Sequence, residues 1–238
     1  ASTSPAGLLG GGQPPRPGNI SLAHHGVLMM DELTEFRRTV IESLREPLET
    51  GRITLSRGPY SETFPARFLL VATMNPCPCG NLGDPARACR CTPAQIRRYQ
   101  ARLSGPLLER FDLGIEMMRE PASDVSNKAP APEDSATVAR RVQSARQRQL
   151  TRQACTNAYL PVGRFEDCLA LQPDARALLA QAADRFGWSW RSQHRVLRVA
   201  RTVADLADSA TVTPAHLAEA MALRRPLDHL VSAEANPA

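Results

Sequence analysis

The sequence predicts an α/β domain, built as a parallel sheet with flanking helices and a β-hairpin, followed by a small all-helical domain. Three observations carry this reading. Short apolar runs broken by turn residues fill the first half, the stretch from Arg119 to Ser135 has hardly any large apolar residue, and the remainder shows helical periodicity.

The runs Val27-Leu28-Met29-Met30, Phe68-Leu69-Leu70-Val71-Ala72-Thr73 and Leu113-Gly114-Ile115-Glu116 read as buried strands, because parallel strands covered on both faces are continuously apolar. Between the first two, Phe36, Val40, Leu44 and Leu48 recur every four residues, which predicts one amphipathic helix over Glu35 to Thr50. Thr50-Gly51 ends it. Arg52-Ile53-Thr54-Leu55, the turn pair Gly58-Pro59, and Tyr60 to Phe64 then alternate as a β-hairpin does. The Pro, Ala, Ser, Asp and Asn that follow Arg119 cannot support a core. This places an α/β domain at 1–120, a linker at 121–134 and a helical domain at 135–238. Helices are predicted at Ala136 to Gln153, Pro173 to Phe186, Arg191 to Ala207 and Pro214 to Leu223, the last opened by Thr213-Pro214.

At 238 residues the chain has material for one large domain or two smaller ones. Hydrophobic residues make up 42%, yet no run approaches the roughly 20 apolar positions of a membrane span, so a soluble cytoplasmic chain is expected. Ala1 to Gly12 carry no initiating Met and no secretion signal, and the expectation is that the chain begins inside a longer protein. A net charge of +5 permits a polyanionic partner without requiring one. Lys128 is the sole lysine, and it lies in the linker.

Chemistry gathers at strand ends. Val27 to Met30 run directly into Asp31-Glu32, putting two carboxylates at the C-terminal edge of a strand, the edge where open α/β sheets bind ligands. One carboxylate there can hold hydrated Mg²⁺ and its neighbour can polarise an attacking water. A strand ending in two solvated acids is the competing reading. The second strand ends in Asn75-Pro76, an amide that can orient water beside a phosphate or serve only as turn chemistry.

The segment from Pro17 through His24-His25-Gly26 to Asp31-Glu32-Leu33 resembles the Walker B region of magnesium-chelatase-like AAA+ ATPases of the ComM/YifB type. The resemblance continues through Leu44-Arg45-Glu46-Pro47-Leu48-Glu49, Pro65-Ala66-Arg67-Phe68, Ala72-Thr73-Met74-Asn75-Pro76 and Leu103 to Asp112. It resumes past the linker at Arg141-Val142, Ala145-Arg146, Arg191, Arg195 to Leu206 and Leu217 to Arg224. It implies the C-terminal part of a AAA+ core followed by a helical lid, with ATP and Mg²⁺ as cofactors. By it Asp31 and Glu32 are the Walker B pair, Asp31 binding Mg²⁺ through water and Glu32 polarising the attacking water, while Asn75 is sensor 1, Arg110 is the arginine finger and Arg191 is sensor 2.

A guanidinium lent by a neighbouring subunit neutralises charge developing on the γ-phosphate, so Arg110 implies a ring, with a hexamer expected. The alternative for Arg110 is an ion pair with Glu109 or Asp112, and for Arg191, Arg195 and Arg198 a solvated helix face. No Gly-rich stretch ends in Gly-Lys-Ser/Thr, and neither Lys128 nor Gly10-Gly11-Gly12 supplies one. The chain alone is therefore expected to bind ATP weakly and hydrolyse it negligibly, with the phosphate loop upstream of residue 1.

Cys77-x-Cys79, nine residues, and Cys89-x-Cys91 present four soft ligands suited to a tetrahedral zinc ion, although C-x-C is tighter than the usual C-x₂-C and incidental thiols remain the alternative. Cys155 and Cys168 read as core residues. His24 and His25 belong to the connection before the first strand.

The resemblance implies a ring-forming motor acting on DNA in branch migration or competence. The hairpin, with Arg52 and Arg57 expected near its tip, is the candidate pore element. Two other readings stand beside it: a motor subunit for porphyrin metallation, and a non-catalytic, zinc-stabilised DNA-binding or adaptor module.

Overall fold

The computed structural model describes residues 4–118 and 133–235, so most of the expected linker, with Lys128, lies outside the described residues. The chain forms two compact units, Ala1–Phe111 with His229–Ala238, and Asp112–Asp228.

In the first unit, helix α1 (Pro5–Leu9) is capped by the Ser4 hydroxyl, which accepts from the Gly7 amide at 3.1 Å. Strands β1 (Gly10–Gly11) and β2 (Arg16–Pro17) pair antiparallel. A Cβ on Gly18 would stand 2.4 Å from the Gly10 nitrogen, so this crossing of backbones requires glycine. Helix α2 (Asn19–Leu22) then leads through His24 and His25 to β3 (Val27–Met30). The His24 Nδ1 accepts from the Arg67 amide at 3.1 Å, fixing this connection beside the start of β6 (Leu69–Ala72).

Strands β3 and β6 pair in parallel, Val27 opposite Leu69 through Met30 opposite Ala72. They are not buried on both faces as the apolar runs suggested. Met30 is inside, Leu28, Leu70 and Ala72 are half-buried, and Val27 and Met29 are 59% and 57% exposed. Successive side chains of a strand face opposite ways, and among the described residues only one face of this pair is covered.

The expected helix over Glu35 to Thr50 is broken into a 3₁₀ turn (Leu33–Glu35), α3 (Arg38–Glu42) and α4 (Arg45–Thr50). Pro47 explains the break between α3 and α4: its nitrogen cannot donate to the Ser43 carbonyl, and proline is tolerated only in a first turn, while the earlier break falls at Phe36 and Arg37, whose backbone is extended. Val40 and Leu44 still face inward, both fully buried. Gly51, at φ 68°, ends α4 in the left-handed conformation.

The hairpin pairs β4 (Arg52–Arg57) with β5 (Tyr60–Pro65) across Gly58-Pro59. Arg57 sits opposite Tyr60 at the tip, whereas Arg52 pairs with Pro65 at the base, which corrects the expectation for Arg52. Helices α5 (Pro93–Gln100) and α6 (Gly105–Leu108) complete the unit.

The second unit opens without the strand expected at Leu113 to Glu116. The Gly114 amide donates to the Leu223 carbonyl at 2.8 Å, so the segment bonds to a helix instead of a sheet, and Ile115 stands 67% exposed. Helices α7 (Ser135–Gln153), α8 (Phe165–Leu169), α9 (Pro173–Phe186), α10 (Trp190–Leu206) and α11 (Pro214–Ala235) follow.

Helix α11 was expected to stop at Leu223 but continues through Pro226. The missing proline N–H costs one bond to Ala222, and the Arg224–Asp228 pair at 3.2 Å spans the gap. The core gathers Leu160, Phe165, Leu179, Val196, Ala200 and Leu217 with Cys168 buried and Cys155 packed against it.

One buried ionic network ties α7 to α10. Asp205 accepts from Arg152 at 2.6 Å and Asn157 at 2.8 Å and pairs with Arg201 at 3.0 Å. Burial alone raises the Asp205 pKa, but the hydrogen bonds from Arg152 and Asn157 and the charges of Arg201 and Arg152 outweigh it and hold the carboxyl below the usual range.

Candidate functional site

Parallel pairing sends the chain out of β3 and β6 at the same edge, and Thr73 joins the two exits. Its amide donates to the Met30 carbonyl at 3.1 Å and its carbonyl accepts from the Leu33 amide at 2.8 Å. Its hydroxyl donates to Asp31 Oδ1 at 2.5 Å and accepts from the Glu32 amide at 3.0 Å. One threonine thereby orients both acids, leaving Asp31 Oδ2 and the Glu32 carboxylate toward solvent.

Glu32 adopts φ 52°, ψ 54°, a left-handed conformation that is uncommon for a side chain of its size and concentrates at functional sites. Asn75 follows Thr73 by two residues on the exposed rim, and its side-chain amide spends no hydrogen bond among the described residues. Its Oδ1 lies beside Gly80, 3.9 Å from where a Cβ would stand there. The rim therefore offers two carboxylates and an uncommitted amide.

Arg110 is turned inward. Its Nε donates to the Arg45 carbonyl at 3.2 Å, Nη1 to the Pro106 carbonyl at 2.5 Å, and Nη2 to the Glu49 carboxylate. The partner is thus Glu49, neither Glu109 nor Asp112. Arg191 is exposed on the first turn of α10. Arg195 and Arg198 are not a solvated face: Arg195 holds Asp112 at 2.7 Å, and Arg198 donates to the Leu160 carbonyl at 2.9 Å with its guanidinium 5.3 Å from the Phe165 ring centre.

The four clustered thiols converge. Cys77 to Cys79 is 3.5 Å, Cys77 to Cys89 is 3.7 Å and Cys79 to Cys89 is 3.6 Å, with all four sulfurs, Cys91 included, within 4.8 Å of one another. A zinc–sulfur bond of about 2.3 Å sets tetrahedral sulfur–sulfur edges of about 3.8 Å, while a disulfide needs about 2.0 Å. The donor set matches one tetrahedral ion. Backbone N–H groups of Arg90 and Asn81 aimed at Cys79 lower its pKa to about 6, and desolvation beside Cys79 and Cys77 pushes Cys91 up to about 12. Crowded thiols that cannot all ionise alone are what a cation resolves.

Sequence reading missed Thr73, whose position one residue beyond β6 was a usable signal. It also missed Glu49 and the Thr34–Tyr99 contact at 2.5 Å, which only tertiary folding creates.

The magnesium chelatase subunit ChlI family model matches residues 1–125, and the model of its C-terminal region matches 132–224. The chain is 45% identical to the uncharacterized protein YifB of Escherichia coli over 94% of its own length and 44% of that relative's. It is 46% identical to the competence protein ComM of Haemophilus influenzae over 94% of its length and 43% of that relative's. An uncharacterized Mycobacterium bovis protein is 41% identical, with 94% and 45% covered. The chain belongs to the magnesium chelatase ChlI family, in its ComM/YifB-type branch, and spans less than half the length of these relatives. No described helix is long and apolar enough to cross a membrane.

Proposed function

We propose that the chain is the Walker B, sensor and lid portion of a cytoplasmic, ring-forming ATPase that works on DNA, with residues 1–120 in the core, 121–134 as linker and 135–238 as lid. The observation that carries this is the Thr73-tethered pair Asp31 and Glu32 at the rim from which Asn75 follows, in a chain of this family.

In this reading Asp31, with one oxygen taken by Thr73 and the other free, is the group for water-bound Mg²⁺, which when present offsets phosphate charge. Glu32 polarises the attacking water and Asn75 orients it. Arg110 reaches a neighbouring subunit's γ-phosphate only after leaving Glu49, and Arg191 senses the nucleotide from the lid. The phosphate loop is supplied by the rest of the longer protein, and a hexamer is the assembly. The cysteine cluster holds one structural zinc ion.

DNA is favoured by the likeness to a competence protein over 94% of the chain and by the hairpin tip, where Arg57 stands opposite the exposed Tyr60. A cation beside an aromatic ring is a common device for nucleic-acid strands. The family description, magnesium chelatase, is the observation on the side of porphyrin metallation.

ATP turnover of the longer protein, measured with DNA and with a porphyrin plus Mg²⁺, decides between them. Stimulation by DNA is expected. Arg57→Ala should weaken DNA binding with little dependence on base sequence and lower the salt slope by about one. Stimulation by porphyrin alone, with DNA inert, would overturn the assignment.

A further inference from the structure

Asn75 and the first zinc-type cysteine are two residues apart, and the last one, Cys91, directly precedes the cap of α5. Thr92 and Gln95 form a reciprocal capping box at 3.2 and 2.9 Å that starts this helix immediately beyond the cluster. The far end of α5 returns to the acid pair. Tyr99 takes the Thr34 hydroxyl at 2.5 Å and Arg102 donates to the Thr34 carbonyl at 2.6 Å, two residues after Glu32.

Taken together these contacts make a circuit. It runs from Asp31 and Glu32 to Thr34, across to α5, back along that helix to Thr92 and Cys91, over the sulfur cluster to Cys77, and through Asn75 to Thr73, which binds Asp31 and Glu32 again. Every link but one is a covalent segment or a short hydrogen bond. The remaining link is the cluster, where Cys77 is fully buried and the sulfurs stand at ion-bridging distances. Beside it, among the side-chain hydrogen bonds of the described residues, Gln100 ties α5 to the Asn75 segment by donating to the Pro76 carbonyl at 3.1 Å in an exposed position.

We propose that the metal ion bound by Cys77, Cys79, Cys89 and Cys91 is a clasp that fixes the Asn75 amide against the acid pair, so that the ion positions the rim without touching the reacting atoms. This rests on the zinc reading above. It makes the four cysteines positioning residues for Asn75, acting through Cys77, two residues beyond it in the chain.

The test uses the 238-residue chain, with zinc content by elemental analysis and amide hydrogen exchange before and after chelation. One zinc per chain is expected. On its removal, exchange at Gly80, whose amide donates to the Cys77 carbonyl, at Asn81 and Arg90, whose amides face Cys79, and along α5 should quicken roughly tenfold or more, while β3 and the helices α7 and α10 keep their protection.

Cys89→Ser should reproduce the loosening, and Cys89→His, which restores a zinc ligand without restoring sulfur packing, should reverse it. A chain that binds no zinc removes both the metal reading and the clasp. A chain that binds zinc but exchanges identically without it keeps the metal and overturns the clasp. Loosening that spreads equally through β3, α7 and α10 makes the ion a general fold staple and also overturns it.

Discussion

Thr73 shows how much of the rim depends on one hydroxyl. It is donor to a carboxylate and acceptor from a strained backbone amide at once, so Thr73→Val, nearly isosteric, removes both bonds and leaves the Glu32 N–H without that partner. A loss of about 1–3 kcal/mol in the stability of the first unit is expected by denaturant titration, together with lower turnover in the longer protein. A variant with unchanged turnover would show that the threonine does not orient the acids.

The acids and Asn75 were legible because their signal is local: an apolar run that stops at a polar residue. The partner that Arg110 holds, Glu49, was not legible, since 61 positions separate the two.

The elements that matched expectation are those whose periodicity is uninterrupted. Pro173–Phe186 falls where the sequence placed it, Ser135–Gln153 starts one residue earlier than expected, and Trp190–Leu206 is shifted by one residue at both ends. The misread elements contain a proline or lack a partner. Pro47 splits one predicted helix, Pro226 sits inside another that runs on past it, and Leu113 to Glu116 has no strand beside it among the described residues.

Between α7 and α10 the buried Asp205 network is the element-scale prediction. Asp205→Ala leaves Arg201 and Arg152 without their carboxylate and should cost about 3–5 kcal/mol in the second unit. Its folded pKa is depressed, so its contribution is present above the ordinary aspartate value of about 3.9 and lost as pH falls through the folded value. Acid should therefore loosen this unit below about pH 4, and Asp205→Asn should flatten that dependence. A wild-type titration with no change there would contradict the network's role.

At the scale of the molecule, β3 and β6 present an apolar face on which Val27, Met29, Leu69 and Val71 are exposed, and the chain spans under half the length of the relatives it matches. The sequence suggested buried strands because their residues are suited to a covered sheet, whereas among the described residues one face is covered.

The central claim concerns what Asp31, Glu32 and Asn75 do together, and the most direct measurement is nucleotide binding and turnover by the longer protein carrying Glu32→Gln. The substitution keeps the shape and removes the carboxylate. ATP should still bind with near wild-type affinity while hydrolysis falls by roughly 10²–10⁴-fold. Hydrolysis at the wild-type rate would contradict the account.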